Sequence, residues 1–213
     1  MIGSPIAISS PVTLRDLFVL LSRQFGDAPE PLPEEELLRF VALARDGDRG
    51  AGQHLYQQLV HRVYRTVRPM FAYAADAEDA TQDAMLAVLT SLDRYRPRDG
   101  TRFEAWAMTV ARNAALRRFR RLRPQLTDTG VLPEMGDFED LDAGLDLARR
   151  RQALLTALAE LEARDRDVVL LRYAAELTAA ETGEALGLSP ANVRKICERQ
   201  RAALGARLEE LLK

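Results

Sequence analysis

The stretch "TAAETGEALGLSPANVRKI", Thr178 to Ile196, has the spacing of two short helices joined by a tight turn. Two helices that meet at a steep angle bring their backbones close together, and Gly183 places a residue without a side chain in mid-helix. Gly187 can adopt the left-handed conformation that ends many helices. Ser189 is a favourable N-cap, and Pro190 suits the first position of the second helix. The pattern predicts a helix-turn-helix. The alternative interpretation is a simple αα-hairpin that packs internally.

The second helix of this stretch has an apolar side and a polar, basic side. Leu186, Val193 and Ile196 fall where the two helices would share a core. In a helix-turn-helix the second helix enters the major groove, where its first turns contact base edges. Arginine and lysine bind guanine or phosphate, asparagine binds adenine, and glutamate accepts from cytosine or pairs with an arginine of its own helix. The candidate DNA-binding residues here are Ser189, Asn192, Arg194, Lys195, Glu198 and Arg199.

Composition places the chain among folded, helical proteins. Its 213 residues are 47% hydrophobic and 29% charged, enough for one large or two small domains. Ala, Leu, Arg and Glu dominate and strand-like alternation is missing, so the predicted class is all-α. No apolar run reaches the roughly 18 residues of a membrane span, so no membrane insertion is expected. The start lacks a basic leader and Cys197 is the single cysteine, which together favour the cytoplasm.

The net charge of −2 hides a strong segregation of charge along the chain. Between positions 94 and 123 there are ten arginines and two acids, whereas positions 128 to 146 hold seven acids and no Lys or Arg. The basic segment ends in "FEAWAMTVARNAALRRFRRLR", Phe103 to Arg123, whose apolar stripe includes Trp106. Large aromatics at helical spacing are usually buried, so we expect Trp106 in the core. The arginine tail either solvates the helix end and complements its dipole, or contacts phosphates.

Prolines, glycines and charge runs divide the chain into four predicted segments. They are an N-terminal extension with a short amphipathic helix (1–33), a first helical domain (34–123), a flexible acidic linker (124–145) and a second helical domain with the helix-turn-helix (146–213).

Two segments together resemble one family. "DAEDATQDAMLAVLTSLDRYRP" followed by "TRFEAWAMTVARNAALRRFRR" is similar to the second conserved region of bacterial extracytoplasmic-function sigma factors. "LLTALAELEARDRDVVLLRYAAELTAAETGEALGLSPANVRKICERQRAAL" resembles their fourth conserved region. The resemblance runs from about Glu35 to Leu212. It implies a promoter-specificity subunit that binds core RNA polymerase, recognises the −10 and −35 promoter elements and catalyses nothing by itself.

The resemblance also implies roles for individual residues. The early acidic helix would dock on the clamp helices of the polymerase β′ subunit through Asp76, Glu78, Asp79, Gln82 and Asp83; these charges could instead serve only the helix dipole. The basic segment would bind the −10 element through Arg96, Arg98, Arg102, Arg112, Asn113, Arg117, Arg118, Arg120 and Arg121. The helix-turn-helix would read the −35 element, with the β flap as a further polymerase contact. A regulator such as an anti-sigma factor is an expected partner.

This chain departs from the family pattern in three places: at Thr182, where a larger aliphatic residue is usual, at Glu198, which places an acid within the recognition helix, and in its N-terminal extension. The extension is hypothesised to fold back on a sigma domain or to bind a regulator. An enzyme is poorly supported because His54, His61 and Cys197 form neither a metal set nor a triad, so no cofactor or metal is expected. The alternatives left open are a helix-turn-helix regulator without polymerase docking and a sigma mimic that binds an anti-sigma protein.

Overall fold

The computed structural model describes Phe18 and residues 28–97, 102–122 and 141–213. Within these residues every regular element is helical, which confirms the predicted all-α class. The α-helices are α1 (Glu34–Arg45), α2 (Arg49–Val67), α3 (Ala74–Thr90), α4 (Phe103–Leu122), α5 (Leu141–Ala159), α6 (Ala163–Val169), α7 (Ala179–Leu186) and α8 (Pro190–Leu211). Short 3₁₀ turns follow α2 and α3, and a π turn, Leu170–Ala174, continues α6.

Helices α1 to α4 pack into one bundle around a continuous apolar core. Leu55, Tyr64, Met85 and Phe103 are almost completely buried in it. The helix starts follow from local chemistry: α1 opens after Pro33 with three glutamates in its first turn, which suits the helix dipole. Helix α3 begins after the N-cap Tyr73, and Asp76 lies in its first turn, where its negative charge suits the helix dipole.

The helix-turn-helix forms as its sequence predicts. Thr178 and Glu181 form a reciprocal capping box at the start of α7. Gly187 ends α7 at φ +67°, and the Ser189 hydroxyl accepts from the backbone N–H of Asn192 at the start of α8. A Cβ at Gly183 would collide with the backbone of the turn, so only glycine permits this close approach without rearrangement. These local signals confirm the sequence argument at the turn itself.

The C-terminal helices form a second apolar cluster that also receives the N-terminal extension. Leu154, Leu158 and Leu204 are buried there, and Phe18 is fully buried among them. The burial of Phe18 is what the fold-back hypothesis expects; the rest of the proposed amphipathic helix lies outside the described residues. Helix α5 begins at Leu141, inside the span assigned to the acidic linker, and residues 124–140 are likewise outside the described part of the chain.

The two helical groups share a buried interface. Leu171, Ala175 and Leu177, from the turn between α6 and α7, belong to the apolar core of the N-terminal bundle. In return, Met70 of the N-terminal bundle packs against the C-terminal cluster. Apolar burial therefore joins the halves, and the site residues of one half lie against the other.

Candidate nucleic-acid interface

The exposed side of α8 carries all six residues predicted to read DNA. Ser189, Asn192, Arg194, Lys195, Glu198 and Arg199 are exposed. Val193 and Ile196 are buried on the opposite side. The side chains of Arg194 and Lys195 make no ion pair with any residue that the structure describes. The first turns of α8 thus present a polar, basic surface.

Arg199 differs from the basic residues earlier on α8. Its guanidinium forms an ion pair with Asp165 of α6, which also accepts a hydrogen bond from Gln200. This contact anchors α8 on α6 and uses part of the charge of Arg199. Cys197 lies on the buried side, where desolvation raises the pKa of its thiol, so the thiol stays protonated near neutral pH.

The arginine tail of α4 is divided between exposed and paired side chains. Arg117, Arg120 and Arg121 are exposed, as is Asn113. Arg118 instead donates to Asp79 at 2.9 Å and to Asp83 at 2.7 Å, across to α3. These bonds, led by the one to Asp83, raise the pKa of Arg118 above its ordinary value. A predicted DNA contact is therefore bonded to two predicted polymerase contacts.

The acidic face of α3 is exposed, with Asp76 half-buried in the first turn and Glu78, Asp79, Gln82 and Asp83 fully on the surface. Leu86 follows on the same face with 62% of its surface exposed. Together with Asp83, Arg117 and Arg121 it lines a groove of about 620 Å³ between the ends of α3 and α4. Sequence reasoning missed Leu86, although its spacing from Asp79 and Asp83 places it on their side of the helix.

Three aromatic rings cluster where the 3₁₀ turn after α3 meets the start of α4. The ring centroid of Tyr95 lies 5.2 Å from both Phe103 and Trp106. Trp106 is half-buried: it packs against the core, as expected, and one part lines a cavity of about 280 Å³. Arg96, which lines the same cavity, donates to the backbone carbonyls of Asp93 and Tyr95. Arg98 lies outside the described residues.

Two of the predicted −10 arginines are bonded to acids of the C-terminal half. Arg102 forms a fork with the Glu181 carboxylate of α7, at 2.9 and 3.2 Å, and Arg112 forms an ion pair with Asp167 of α6. Sequence reasoning did not find these pairs, because 79 residues separate Arg102 from Glu181 and 55 separate Arg112 from Asp167.

The Glu181 carboxylate is held in its ionised form by this environment. Burial raises its pKa, but hydrogen bonds from Arg102 and from the backbone of Thr178 outweigh that effect, so the pKa lies below its ordinary value. The hydrogen bond that Arg102 donates to Glu181 correspondingly raises the pKa of Arg102. Both groups are charged across the physiological range, and the pair persists there.

Two other kinds of site are absent from the described residues. No group of three or more His, Cys, Asp or Glu residues among them is arranged to hold a metal ion. None of the described helices is long and apolar enough to cross a membrane.

Two family models match this chain in the places where the surfaces lie. The Sigma-70 region 2 model matches residues 55–125, which contain α3 and α4, and the Sigma-70 region 4 model matches residues 151–204, which contain the helix-turn-helix. The RNA polymerase sigma factor CarQ of Myxococcus xanthus is 34% identical over 78% of this chain and 94% of that protein. The chain belongs to the extracytoplasmic-function sigma factors.

A second relative agrees with this assignment, and a solved structure shares the fold. The ECF RNA polymerase sigma factor SigM of Mycobacterium tuberculosis is 30% identical over 84% of this chain and 86% of its own length. CnrH, solved in complex with the cytosolic domain of CnrY, matches the fold with a TM-score of 0.59 at 24% identity, over 80% of this chain and 96% of that one. A sigma factor is therefore favoured over a helix-turn-helix regulator that lacks polymerase contacts.

Proposed function

We propose that this sigma factor acts in the cytoplasm through three separate surfaces. The acidic face of α3 binds the clamp helices of the polymerase β′ subunit. The start and the arginine tail of α4 bind the −10 promoter element. The first turns of α8 bind the −35 element, next to a contact of the C-terminal half with the β flap. The chain supplies promoter choice and strand opening, and catalysis belongs to the polymerase.

One observation carries this proposal: the same chain has an acidic face on α3, a basic tail on α4 and a helix-turn-helix. Adjacent helices α3 and α4 present an acidic face and a basic tail, and α8 presents a basic face on which Arg194 and Lys195 form no ion pair with any described residue. A regulator that only binds DNA needs the last surface and not the first.

The polymerase contact is argued from charge and from one apolar side chain. Asp79, Asp83 and Leu86 are exposed on the same side of α3. Carboxylates steer a basic partner surface into register, and an exposed leucine beside them gives an apolar anchor for the centre of the contact. In this structure the Arg118 guanidinium is bonded to both carboxylates. Docking would therefore replace these bonds by bonds from basic side chains of the polymerase.

The −10 contact is argued from the arginines and the aromatic cluster. Arg117, Arg120 and Arg121 are exposed cations on one helix end, which suits phosphate binding. The cavity beside Tyr95 and Trp106 has aromatic and arginine walls on the side of the N-terminal bundle, and Glu181 and Glu184 of α7 line its other side. Such walls suit an unstacked base, because stacking and backbone neutralisation do not depend on base pairing.

A regulator that blocks these surfaces is part of the proposal. The sigma factor RpoE of Bartonella quintana, solved with the anti-sigma factor NepR, matches this fold with a TM-score of 0.57 at 21% identity, over 74% of this chain and 96% of that one. CnrH was likewise solved with a bound protein segment. We propose that this chain also binds a protein that covers its polymerase-facing surface.

The proposal is tested by reconstituting the full chain with bacterial core RNA polymerase. The expected result is co-elution of the two and specific run-off transcripts from fragmented DNA of the source genome, with no specific transcripts from core enzyme alone. DNA binding without stable association with core polymerase would overturn the proposal and leave a plain regulator.

Two matched variants locate the polymerase contact. Asp79→Asn with Asp83→Asn should weaken association with core polymerase about tenfold, because two steering charges are lost. Asp46→Asn removes an exposed acid at the end of α1 that is assigned to none of the three surfaces. Equal association for the double variant and for Asp46→Asn would remove the acidic face of α3 from the docking surface.

A further inference from the structure

We propose that α1 is the positioning element of the −10 site, because its two terminal side chains hold the two walls of the cavity beside Tyr95 and Trp106. Glu34, the first residue of α1, fixes the start of α4, and Arg45, the last residue, fixes the turn after α3. Both are positioning residues, since the described residues that line the cavity include neither of them. This role rests on the proposed function, which assigns the cavity to an unstacked base of the −10 element.

The Arg45 guanidinium is bonded to the end of the 3₁₀ turn that follows α3, Leu92–Arg94. It donates to the carbonyl of Leu92 at 2.6 and 3.0 Å and to the carbonyl of Tyr95 at 2.6 Å. Its Cζ also lies 6.0 Å from the centroid of the Tyr95 ring. A cation bonded to the last carbonyls of a helical turn complements their partial negative charge. Arg45 therefore fixes the backbone from which the Tyr95 ring extends.

At the other end of α1, the Glu34 carboxylate is bonded to the start of α4. Its Oε1 accepts a hydrogen bond from the backbone N–H of Phe103 at 2.6 Å. Phe103 is the first residue of α4, and the first N–H groups of a helix have no partner inside it, so a carboxylate at this place satisfies one of them and suits the helix dipole. Trp106 lies one turn further along α4. Glu34 therefore fixes the wall that carries the Trp106 ring.

The two ends of α1 also act on the same aromatic ring. Burial raises the pKa of the Tyr95 hydroxyl, the negative charge of Glu34 raises it further, and the positive charge of Arg45 lowers it. Tyr95 in turn lies 5.2 Å, between ring centroids, from both Phe103 and Trp106. The bonds from α1 thus converge on the aromatic cluster from both of its sides.

The packing of α1 makes it a rigid spacer between these two bonds. Leu37 and Val41 are buried in the bundle core, so apolar contacts in the middle of the helix hold it in place. Its 12 residues correspond to a length of about 18 Å at 1.5 Å per residue. The turn after α3 and the start of α4 are therefore held at a set separation. Loss of either terminal side chain leaves the helix on the core and removes only one of the two bonds.

The charged side chains between the two ends of α1 differ from the terminal ones. Arg39 pairs with Glu35 one turn earlier on the same helix, at 3.3 Å, and both side chains are largely exposed. This pair joins α1 to no other element. Arg39→Gln is therefore the matched control for Arg45→Gln, because it removes an arginine of the same helix without removing a bond to the cavity walls.

The first measurement uses the free chain and the fluorescence of Trp106, the single tryptophan of the sequence. Arg45→Gln and Glu34→Ala should each shift the emission to longer wavelength and increase quenching by acrylamide, because a released wall exposes more of the half-buried ring. Glu34→Gln should keep the wild-type spectrum, since its amide oxygen still accepts from the N–H of Phe103. Arg39→Gln should also keep it.

The second measurement uses core polymerase reconstituted with each chain, on a DNA fragment from which the wild-type chain directs a specific run-off transcript. Permanganate reactivity of unpaired thymines measures strand opening. Arg45→Gln and Glu34→Ala should each reduce opening about tenfold, in line with the loss of a hydrogen bond to a charged group. Association with core polymerase should stay unchanged, because α1 belongs to none of the three surfaces. Glu34→Gln and Arg39→Gln should retain opening.

Thermal melts identify the variants that remain folded, and two variants at opposite ends of α1 keep the test decisive if one of them unfolds. The proposal is overturned if either the Trp106 emission or the strand opening of the folded variants equals that of wild type. It is also overturned if association falls by the same factor as opening, since that result means a general loss of structure. Failure of the wild-type chain to direct run-off transcription would instead overturn the proposed function, and the fluorescence of the free chain would still test the bonds from α1.

Discussion

The two helices assigned to DNA, α4 and α8, differ in how their basic side chains are used. Arg102, directly before α4, and Arg112 and Arg118 on α4 are bonded to carboxylates of other helices. On α8, Arg194 and Lys195 are exposed without ion pairs among the described residues. The comparison shows that part of the basic charge at the start and on the face of α4 is already paired, whereas the first turns of α8 present unpaired charge among the described residues.

The largest expected effect comes from removing the arginine tail of α4. Replacing Arg117, Arg118, Arg120 and Arg121 by Gln should weaken promoter binding by the reconstituted holoenzyme about 100-fold. The slope of log affinity against log salt should become shallower by about 2 to 3, since each lost phosphate contact contributes roughly 0.7 to 0.9. Binding isotherms over a salt series measure both quantities.

Arg118→Gln alone is the matched control for that variant. Because Asp79 and Asp83 already neutralise Arg118, the single change should alter the slope much less than one quarter of the full effect. A slope unchanged by all four substitutions would return the tail to a role in solvating the helix end.

The accessible surface of α8 is tested by Arg194→Ala, with an expected loss of roughly tenfold in transcription from a −35-dependent promoter, in line with one base contact of 1 to 3 kcal/mol. Arg199→Ala should lose less, because part of that side chain's charge is used by Asp165. Lys213→Ala, at the far end of the chain, serves as the control. Equal losses at Arg194 and Arg199 would contradict the contrast drawn between free and paired arginines.

The helix-turn-helix could be predicted from sequence, whereas the ion pairs between the two helical halves could not. The reason is the distance along the sequence over which each interaction acts. Gly187 and Ser189 act on backbone groups within a few residues, so their effect can be predicted from the local sequence. The fork between Arg102 and Glu181 depends on how two bundles pack. The segregation of charge along the chain showed that acids and arginines were separated in sequence, but not that they meet in space. For Phe18, likewise, the sequence showed only that it belongs to an apolar helical face, and not which cluster it packs against.

The fork between Arg102 and Glu181 is expected to stabilise the fold modestly and only above acidic pH. Glu181→Gln should lower the free energy of unfolding by about 1 kcal/mol at pH 7, a value discounted because 42% of the Arg102 side chain is exposed. The pKa of Glu181 is depressed in the folded chain, so this contribution is fully present above the unfolded value of about 4.3. It is lost as the pH falls through the lower, folded value.

Urea unfolding of the two chains across pH 7 to pH 3.5 measures that difference. The gap between wild type and Glu181→Gln should be constant down to about pH 5 and should then narrow. A gap that widens on acidification would mean that burial, and not the bond from Arg102, dominates the pKa of Glu181.

The smallest expected effect is that of substituting Thr182, because this change alters the packing of α7 and leaves its charges unaltered. Thr182 is fully buried in α7, and its hydroxyl has no hydrogen-bond partner among the described residues. Valine has nearly the same shape without the hydroxyl, so Thr182→Val should raise the free energy of unfolding by up to about 1 kcal/mol. Because the neighbouring Glu181 pair is unaltered, the radius of gyration and the salt slope should stay at their wild-type values. A stabilised chain with a smaller radius of gyration would show that the packing of α7, and not its carboxylate, holds the two halves together.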